Sequence, residues 1–185
     1  MKGVIPLSIQ PGSGELILIS QGGDMLELKL VEIKKPDEVN IIIGQSHFIK
    51  TAEDLYEALF NSVPGIEFAL AFAEASGACK VRSHGNNKLL KDLAVENCLN
   101  MRAGHSFIIL LKNAYPINVL NAIKNVPEVC NIYCATANPV KVVVAQTQEG
   151  CAILGVVDGF APKEEEREED ISWRKNFLRK IGYKL

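Results

Sequence analysis

The sequence of 185 residues lacks a C-x-x-C pair, a long apolar run and an excess of charge of one sign. Its five cysteines are an odd number without zinc-ligand spacing, so neither a disulfide framework nor a zinc module is expected. Cys130 and Cys134 are predicted to be buried, reduced thiols. The 20 Lys and Arg against 22 Asp and Glu provide no basic surface for a nucleic acid or an anionic membrane. A small-molecule partner is therefore favoured.

The sequence also lacks a membrane segment and a secretion signal. No stretch approaches the roughly 20 apolar residues that a membrane-spanning helix needs. Pro6 and the Pro-Gly-Ser-Gly turn at 11–14 interrupt any apolar stretch near the beginning, and no small-residue cleavage site follows. We therefore expect the protein to be cytoplasmic.

The standard phosphate-binding loops are absent as well. Gly150 and Gly155 have the spacing of the two glycines of a P-loop, but Val156 and Val157 occupy the positions of its Lys and Ser or Thr. There is also no G-x-G-x-x-G motif and no protein-kinase catalytic set. If the protein handles phosphate, it must use a different arrangement.

Residues 1–24 are predicted to be an N-terminal extension that forms a hairpin, with strands at 4–9 and 15–20. A second interpretation is that Met25 is the native start. Residues 21–25 can be encoded by a purine-rich ribosome-binding sequence followed by a start codon. In either case residues 25–185 form the main domain.

From Met25 onward the hydrophobic pattern predicts strands and helices in one compact domain. Strands are predicted where apolar and polar residues alternate or where short apolar runs occur, and helices where apolar residues recur every three or four positions. The predicted strands are 26–33, 39–43, 66–75, 79–83, 105–111, 129–135, 140–147 and 151–157, and the predicted helices are 51–63, 88–101 and 116–126, with a last one after the acidic run 164–170. Some predicted strands follow one another directly, and others are connected by helices. This combination favours an α+β fold with a mixed β-sheet covered by helices.

The residues at the starts of two predicted helices are of types that stabilise a helix N-terminus. Thr51 and Asp54 have the spacing of a capping box at the start of the helix 51–63. The acidic run 164–170 suits the positive end of a helix dipole, which favours a solvated helix start over a metal cluster. The helix that follows has an apolar stripe, which is predicted to dock on the core or on another subunit and consists of Trp173, Phe177, Leu178 and Ile181.

The segment 44–51, GQSHFIKT, is the best candidate for a site. An apolar strand runs into glycine and polar residues, and a helix begins directly afterwards. Backbone N–H groups and the dipole at a helix start attract an anion, Lys50 adds positive charge, and His47 can act as a nucleophile or as an acid or base. The segment is therefore predicted to be a phosphate pocket. The alternative is a core histidine at His47 and a surface lysine at Lys50.

Four motifs in the same order resemble the adenosine-specific kinase family: GQSHFIKTAEDLYEAL from Gly44, RAGHSF from Arg102, CATANP from Cys134 and ILGVVDG from Ile153. The resemblance spans about Met25 to the end of the chain. It implies affinity for adenosine and AMP, a phosphorylated histidine and assembly into homo-oligomers. It also implies ATP or AMP as the ligand, with Mg²⁺ as a candidate accompanying ion.

Carried over to this sequence, the resemblance makes His47 the choice for the phosphorylated histidine, with Gly44, Gln45, Ser46 and Lys50 in the phosphate region. His105 is the second choice, and it could instead orient the pocket through a hydrogen bond. His84 is the third, and a plain loop before the next helix explains it as well.

The last two motifs supply further ligand-binding candidates. Asn138 could pair with an adenine edge or a ribose hydroxyl, or merely form a turn. Asp158 could hold Mg²⁺ beside phosphates, or merely end a strand. Gly150 and Gly155 complete the predicted ligand-binding set.

Three functions remain open at this point. The first is an enzyme that transfers a phosphoryl group to or from adenosine nucleotides. The second is a sensor that binds AMP without turnover. The third is a structural protein that forms oligomers, in keeping with the apolar stripe near the C-terminus and an apolar content of 48%.

Overall fold

The structure, a computed structural model, describes residues 8–9, 16–19 and 25–185. These residues form one compact α+β domain, as predicted. The elements in chain order are β1 (Ser8–Ile9), β2 (Leu16–Ile19), β3 (Met25–Glu32), β4 (Asn40–Ser46), α1 (Thr51–Phe60), β5 (Glu67–Ala73), β6 (Val81–Gly85), α2 (Lys88–Met101), β7 (Ser106–Lys112), α3 (Pro116–Lys124), β8 (Val129–Thr136), β9 (Val140–Gln146), β10 (Cys151–Asp158) and α4 (Glu168–Lys180).

The described strands form two antiparallel sheets, whereas the sequence predicted one mixed sheet. The central sheet has the strand order β6-β5-β7-β4-β8, and the outer sheet has the order β1-β2-β3-β9-β10. The pairing of β1 with β2 agrees with the predicted hairpin, although most of that prediction lies outside the described residues. An alternating pattern shows which face of a strand is buried but not which strand lies beside it, so the division into two sheets could not be predicted.

The central sheet is covered on both faces, which explains the continuous apolar runs of its strands. Ile42 of β4 packs in one cluster with Leu55 of α1 and Val119 of α3. Ile43, the next residue, points to the opposite face and packs in a second cluster with Leu90 of α2 and with β9 of the outer sheet. Both faces of the central sheet are thus packed, and the candidate site lies at the ends of its strands.

Helix α4 does not pack closely on this core. Its first turn is acidic, as predicted for the run 164–170, but none of its residues is buried. Trp173 is 66% exposed and stacks on Phe177, with their ring centroids 5.1 Å apart. Phe177 and Ile181 line a cavity of about 640 Å³ together with Pro116 of α3, so within the described chain the predicted stripe lies near α3 without being buried against it. No helix in the described part of the chain is long and apolar enough to cross a membrane.

The start of α1 differs from the predicted capping box. Lys50 is the cap residue, and its side chain makes no capping hydrogen bond. The buried Thr51 hydroxyl donates to the carbonyl of Phe48 instead of accepting from the helix. The turn formed by residues 47–50 thus extends the helix backwards to the end of β4.

Candidate functional site

Two of the three histidines lie at the same end of the central sheet. Because the strands are antiparallel, the end of β4 lies beside the beginning of β7. His47 directly follows β4, and His105 directly precedes β7. Both line a cavity of about 260 Å³, together with Phe48, Ile49, Phe72, Glu74, Ala75 and Ser76. The structure therefore brings together the first and second choices for the phosphorylated histidine.

His105 is held rigidly. Its backbone N–H donates to the carbonyl of Ala73 at 2.8 Å, and its carbonyl accepts from the N–H of Ser46 at 2.9 Å. Its backbone φ of 60° lies in the left-handed region, which residues other than glycine rarely adopt. Its ring is nearly parallel to that of Phe72, with a centroid distance of 5.9 Å. These contacts fix the orientation of the imidazole toward the cavity.

His47 is followed by three unused backbone donors. Its own N–H donates to the carbonyl of Glu128 at 3.2 Å. The N–H groups of residues 48–50 donate to no atom of the described residues, whereas those of residues 51–53 bond to the carbonyls of residues 48–50. The helix start at Thr51, where the sequence predicted free N–H groups, is therefore satisfied. The free groups lie one turn earlier, beside His47, where they can bind an anion.

Lys50 is already engaged by two carboxylates. Its ammonium pairs with Asp54 one turn along α1 and with Glu128 at 2.7 Å. Hydrogen bonds to Asp54 and then to Glu128 raise the pKa of Lys50 above its usual range. Lys50 does not line the histidine cavity. Its predicted role as the positive charge of the phosphate pocket would require it to leave one of these partners.

Two buried oxygen atoms, one of them on Glu128, have no hydrogen-bond partner among the described residues. Glu128 is 4% exposed, and its Oε2 accepts no hydrogen bond, while Ser46 is 2% exposed, and its Oγ makes none. Residue 129 pairs with Ser46 across β4 and β8, so the two side chains belong to neighbouring positions. Ser46 does not line the histidine cavity. Its hydroxyl is therefore buried beside β8 and does not face that cavity.

A larger cavity of about 590 Å³ adjoins the histidine cavity, and the two share Glu74 and Ala75. Its size is within the usual range for small-molecule sites. Its remaining lining residues are Ala73, Cys79, Val81, Cys98, Leu99, Arg102, Gly104, Thr147, Glu149, Gly150, Cys151 and Ala152. Gly150, predicted to bind a ligand, thus lines the cavity that adjoins the one with the two histidines. We call this space the large cavity.

A third cavity of about 230 Å³ contains Gln45, another predicted residue. The hydroxyl of Tyr133 donates to the Oε1 of Gln45 at 3.1 Å. This cavity shares Gly104 and Cys151 with the large cavity. Gly44 lies in the strand behind these spaces and lines none of the three cavities.

The charged groups of the large cavity differ in how far they are neutralised. Glu74 accepts from the Arg82 guanidinium at 2.9 and 2.6 Å and from the N–H of Lys80 at 2.9 Å. The Lys80 N–H and then Arg82 lower the pKa of Glu74, which keeps it an anion. Glu149 accepts from the Thr147 hydroxyl at 3.0 Å. The guanidinium of Arg102 has no partner among the described residues.

Asn138 and Asp158 lie far from the histidines. The Asp158 Oδ1 accepts from the Thr136 hydroxyl and from the Asn138 Nδ2, both at 2.9 Å. Asp158 is the last of the eight residues of β10, whereas Cys151 at the large cavity is the first, so the two lie at opposite ends of this strand. No group of three metal-binding side chains occurs in the described chain. Mg²⁺ prefers six oxygen ligands, so an ion at Asp158 would need most of its ligands from water or from the nucleotide.

The two remaining predicted residues also lie outside the cavities. His84 lies within β6, and its ring is 6.0 Å from the ring of Tyr56. Gly155 lies at an irregularity in the pairing of β10 with β9. Neither residue contributes to a common site with His47.

The cysteines are free, and their burial differs. Burial raises the pKa of Cys98 to about 12 and, together with Asp158, that of Cys134 to about 11. Cys134 is buried as predicted, but the prediction for Cys130 was wrong, since Cys130 is exposed. Cys130 lies at the beginning of β8, where it and the next residue, Asn131, are both exposed.

Sequence reasoning missed Glu74, Arg102 and Glu149 as cavity residues. Arg102 is part of the RAGHSF motif, three positions before His105, so the motif itself contained a signal. Glu74 and Glu149 follow strands with no local pattern that distinguishes them. Only the pairing of strands brings them to the cavity.

The fold is α+β, and one of its cavities is lined by two histidines beside backbone N–H groups that have no partner among the described residues. The chain belongs to the adenosine specific kinase family, whose model matches residues 31–184. A similar solved structure is that of the PH1918 protein from Pyrococcus horikoshii OT3, which is 47% identical. The match covers 87% of this chain and 99% of that chain, with a TM-score of 0.84. No curated protein matches the chain.

Proposed function

We propose that the protein binds adenosine and AMP and transfers a phosphoryl group through a phosphorylated histidine, with His47 as the acceptor. The observation that supports this most strongly is the position of His47. It shares a cavity with His105 and is followed by three free N–H groups at residues 48–50. These donors and the positive end of α1 stabilise the negative charge of a phosphoryl group.

The proposed reaction has two steps. A ring nitrogen of His47 attacks the terminal phosphorus of a nucleoside triphosphate, the bond to the bridging oxygen breaks, and the diphosphate leaves. The 5′-hydroxyl of adenosine then attacks the phosphorus, the P–N bond breaks, and AMP forms. The imidazole of His105, fixed beside the cavity, takes the hydroxyl proton.

The surroundings favour His47 over His105 as the acceptor. The ring of His105 is stacked on Phe72 and its backbone is bonded to two strands, which suits an orienting group. His47 is exposed, so a phosphoryl group bound to it remains accessible to both substrates. His84 lies outside the cavity altogether.

Labelling with ATP tests the proposal. Wild type and the variants His47→Asn, His105→Asn and His84→Asn are incubated with γ-labelled ATP, and acid-labile, base-stable label is measured on the protein. Label is expected on the wild type and on His84→Asn, and its loss is expected in His47→Asn. Wild-type label in His47→Asn together with loss in His105→Asn would show that His105 is the acceptor.

A sensor that binds AMP without turnover is the second candidate. It is favoured by the pairing of Lys50 with two carboxylates, which leaves the proposed reaction centre without a lysine. A coupled assay with ATP and adenosine separates the two functions. Tight AMP binding with no product formation would support the sensor.

A further inference from the structure

We propose that Arg102, and not Lys50, is the cation that pairs with the phosphate of a nucleotide bound in the large cavity. The inference rests on the proposed function, because it names the residue that distinguishes AMP from adenosine in that site. It assigns the nucleoside to the large cavity and directs its phosphate toward the histidines.

The backbone at Arg102 is unusual for an arginine. Arg102 ends α2 in the left-handed conformation, with a φ of 53°, and its N–H bonds to the carbonyl of Cys98. Glycine is the usual residue at such a helix end, because a side chain is strained there. The guanidinium makes no hydrogen bond or ion pair with the described residues that would offset this strain. Stability therefore does not explain an arginine at this position, and strain of this kind is common at functional sites.

The neighbours of Arg102 fix its position. Met101 is fully buried and Ala103 is 3% exposed, so both point into the core. Ala103 also forms a bridge to Cys151 of the outer sheet. The Arg102 backbone is thus held next to the contact between the two sheets, and Arg102 itself is exposed and lines the large cavity.

The charges around the two cations differ. Lys50 faces two carboxylates, one of them buried, and is not among the residues that line the cavities. Arg102 is the only lysine or arginine in the described lining of the large cavity. Of the two acidic residues in that lining, Glu74 is neutralised by Arg82, and Glu149 forms no ion pair with Arg102. The planar guanidinium can bind a phosphate with two parallel hydrogen bonds.

The shape of the site agrees with this assignment. Val81 and Leu99 provide an apolar wall for a base in the large cavity. Glu74 and Ala75 line both cavities, so the large cavity adjoins the cavity of His47 and His105 at these two residues. A nucleotide whose base contacts the apolar wall can therefore extend its phosphate between Arg102 and the histidines.

Calorimetric titration of four variants with AMP and with adenosine tests the inference. Arg102→Gly removes the guanidinium but suits the left-handed backbone, so its melting temperature is expected to stay at or above that of wild type. Its dissociation constant for AMP should rise about tenfold to a hundredfold, the usual effect of losing a charge-assisted contact, while that for adenosine changes less than about twofold. Arg102→Lys should recover part of the AMP affinity, because it keeps the charge.

Two variants serve as comparisons. Lys141→Ala removes one positive charge from an exposed position of β9 and should leave both affinities unchanged. Lys50→Ala should affect AMP less than Arg102→Gly does. Equal changes for AMP and adenosine in Arg102→Gly, or a larger AMP-specific loss in Lys50→Ala, would overturn the inference while the proposed function stands. A wild type that binds neither AMP nor adenosine would overturn both.

Discussion

Gly44 has no room for a side chain, although it lies next to the site in an otherwise ordinary strand. A Cβ at this position would be 2.3 Å from the Phe107 Cζ and 2.6 Å from the carbonyl oxygen of Asn131. The oxygen belongs to the backbone of β8, so it cannot move without disturbing the sheet. We infer that glycine is required here so that β7 and β8 can approach β4 closely.

We predict that Gly44→Ala destabilises the fold by about 1–3 kcal/mol, the usual cost of overpacking a core. Gly155→Ala is a matched control, because nothing lies within 4 Å of its added Cβ. Urea unfolding measures both free energies. A Gly44→Ala variant as stable as Gly155→Ala would show that the strands can separate at little cost.

The five thiols should differ in reactivity because of their burial. Cys79 and Cys130 are exposed, whereas Cys98 and Cys134 are buried. A thiol with a pKa of about 12 has roughly one thiolate in 10⁴ molecules at pH 8, and the thiolate is the reactive form. Reaction with a thiol reagent at pH 8 is expected to modify Cys79 and Cys130 quickly. Cys98 and Cys134 should react only after unfolding.

The same measurement tests the location of the ligand. Cys79 and Cys151 line the large cavity, and Cys130 does not. AMP is therefore expected to slow the modification of Cys79 and Cys151 and to leave Cys130 unchanged. Peptide mapping by mass spectrometry distinguishes the three. Equal protection of Cys130 would indicate a general stabilisation and not occupation of the cavity.

At the scale of elements, helix α2 is capped by a side chain at its N-terminus, whereas the backbone at its C-terminus is strained. The Asn87 Oδ1 accepts from the N–H of Leu90 at 3.1 Å, and its Nδ2 donates to Glu67 at 2.6 Å. The other end is the strained Arg102. Since the helix runs from the cap to the large cavity, the cap stabilises the helix whose other end lines that cavity.

Asn87→Ala is expected to lower the free energy of unfolding by about 1 kcal/mol through loss of the cap. In a domain of this size that corresponds to a fall in melting temperature of about 2–4 °C. Asn100, exposed in the same helix, provides the control, since Asn100→Ala removes no capping bond. A fall of equal size in both variants would mean that the cap contributes nothing specific.

Most element bounds could be predicted from the sequence, because hydrophobic period and breakers are local properties. The end of β4 is a bound that these local properties do not predict. The predicted strand ended at Ile43, but pairing with β7 and β8 continues it to Ser46. The contact of Lys50 with Asp54 follows from helical spacing, whereas its contact with Glu128 depends on β8. The candidate site could not be predicted from local properties either, because only the pairing of β4 with β7 brings His105 beside His47.

At the scale of the whole molecule, the described chain leaves large apolar side chains uncovered on one side. The exposed fractions are 60% for Leu30, 59% for Leu154 and 47% for Val157 in the outer sheet, and 88% for Phe160 just after it. Neither α4 nor any other described helix packs on this face, since α2 lies on the side of the central sheet. Contiguous exposed apolar surface usually marks a contact with another molecule.

We therefore predict that the protein associates with itself through this face. Light scattering at micromolar concentration is expected to give a multiple of the chain mass of 20.3 kDa. Leu154→Lys places a charge in the predicted contact and should shift the mass toward that of one chain. The control Leu89→Lys changes a residue of α2 that is also exposed, at 61%, but lies outside the face. A monomeric wild type would contradict the prediction, and equal dissociation of both variants would place the contact elsewhere.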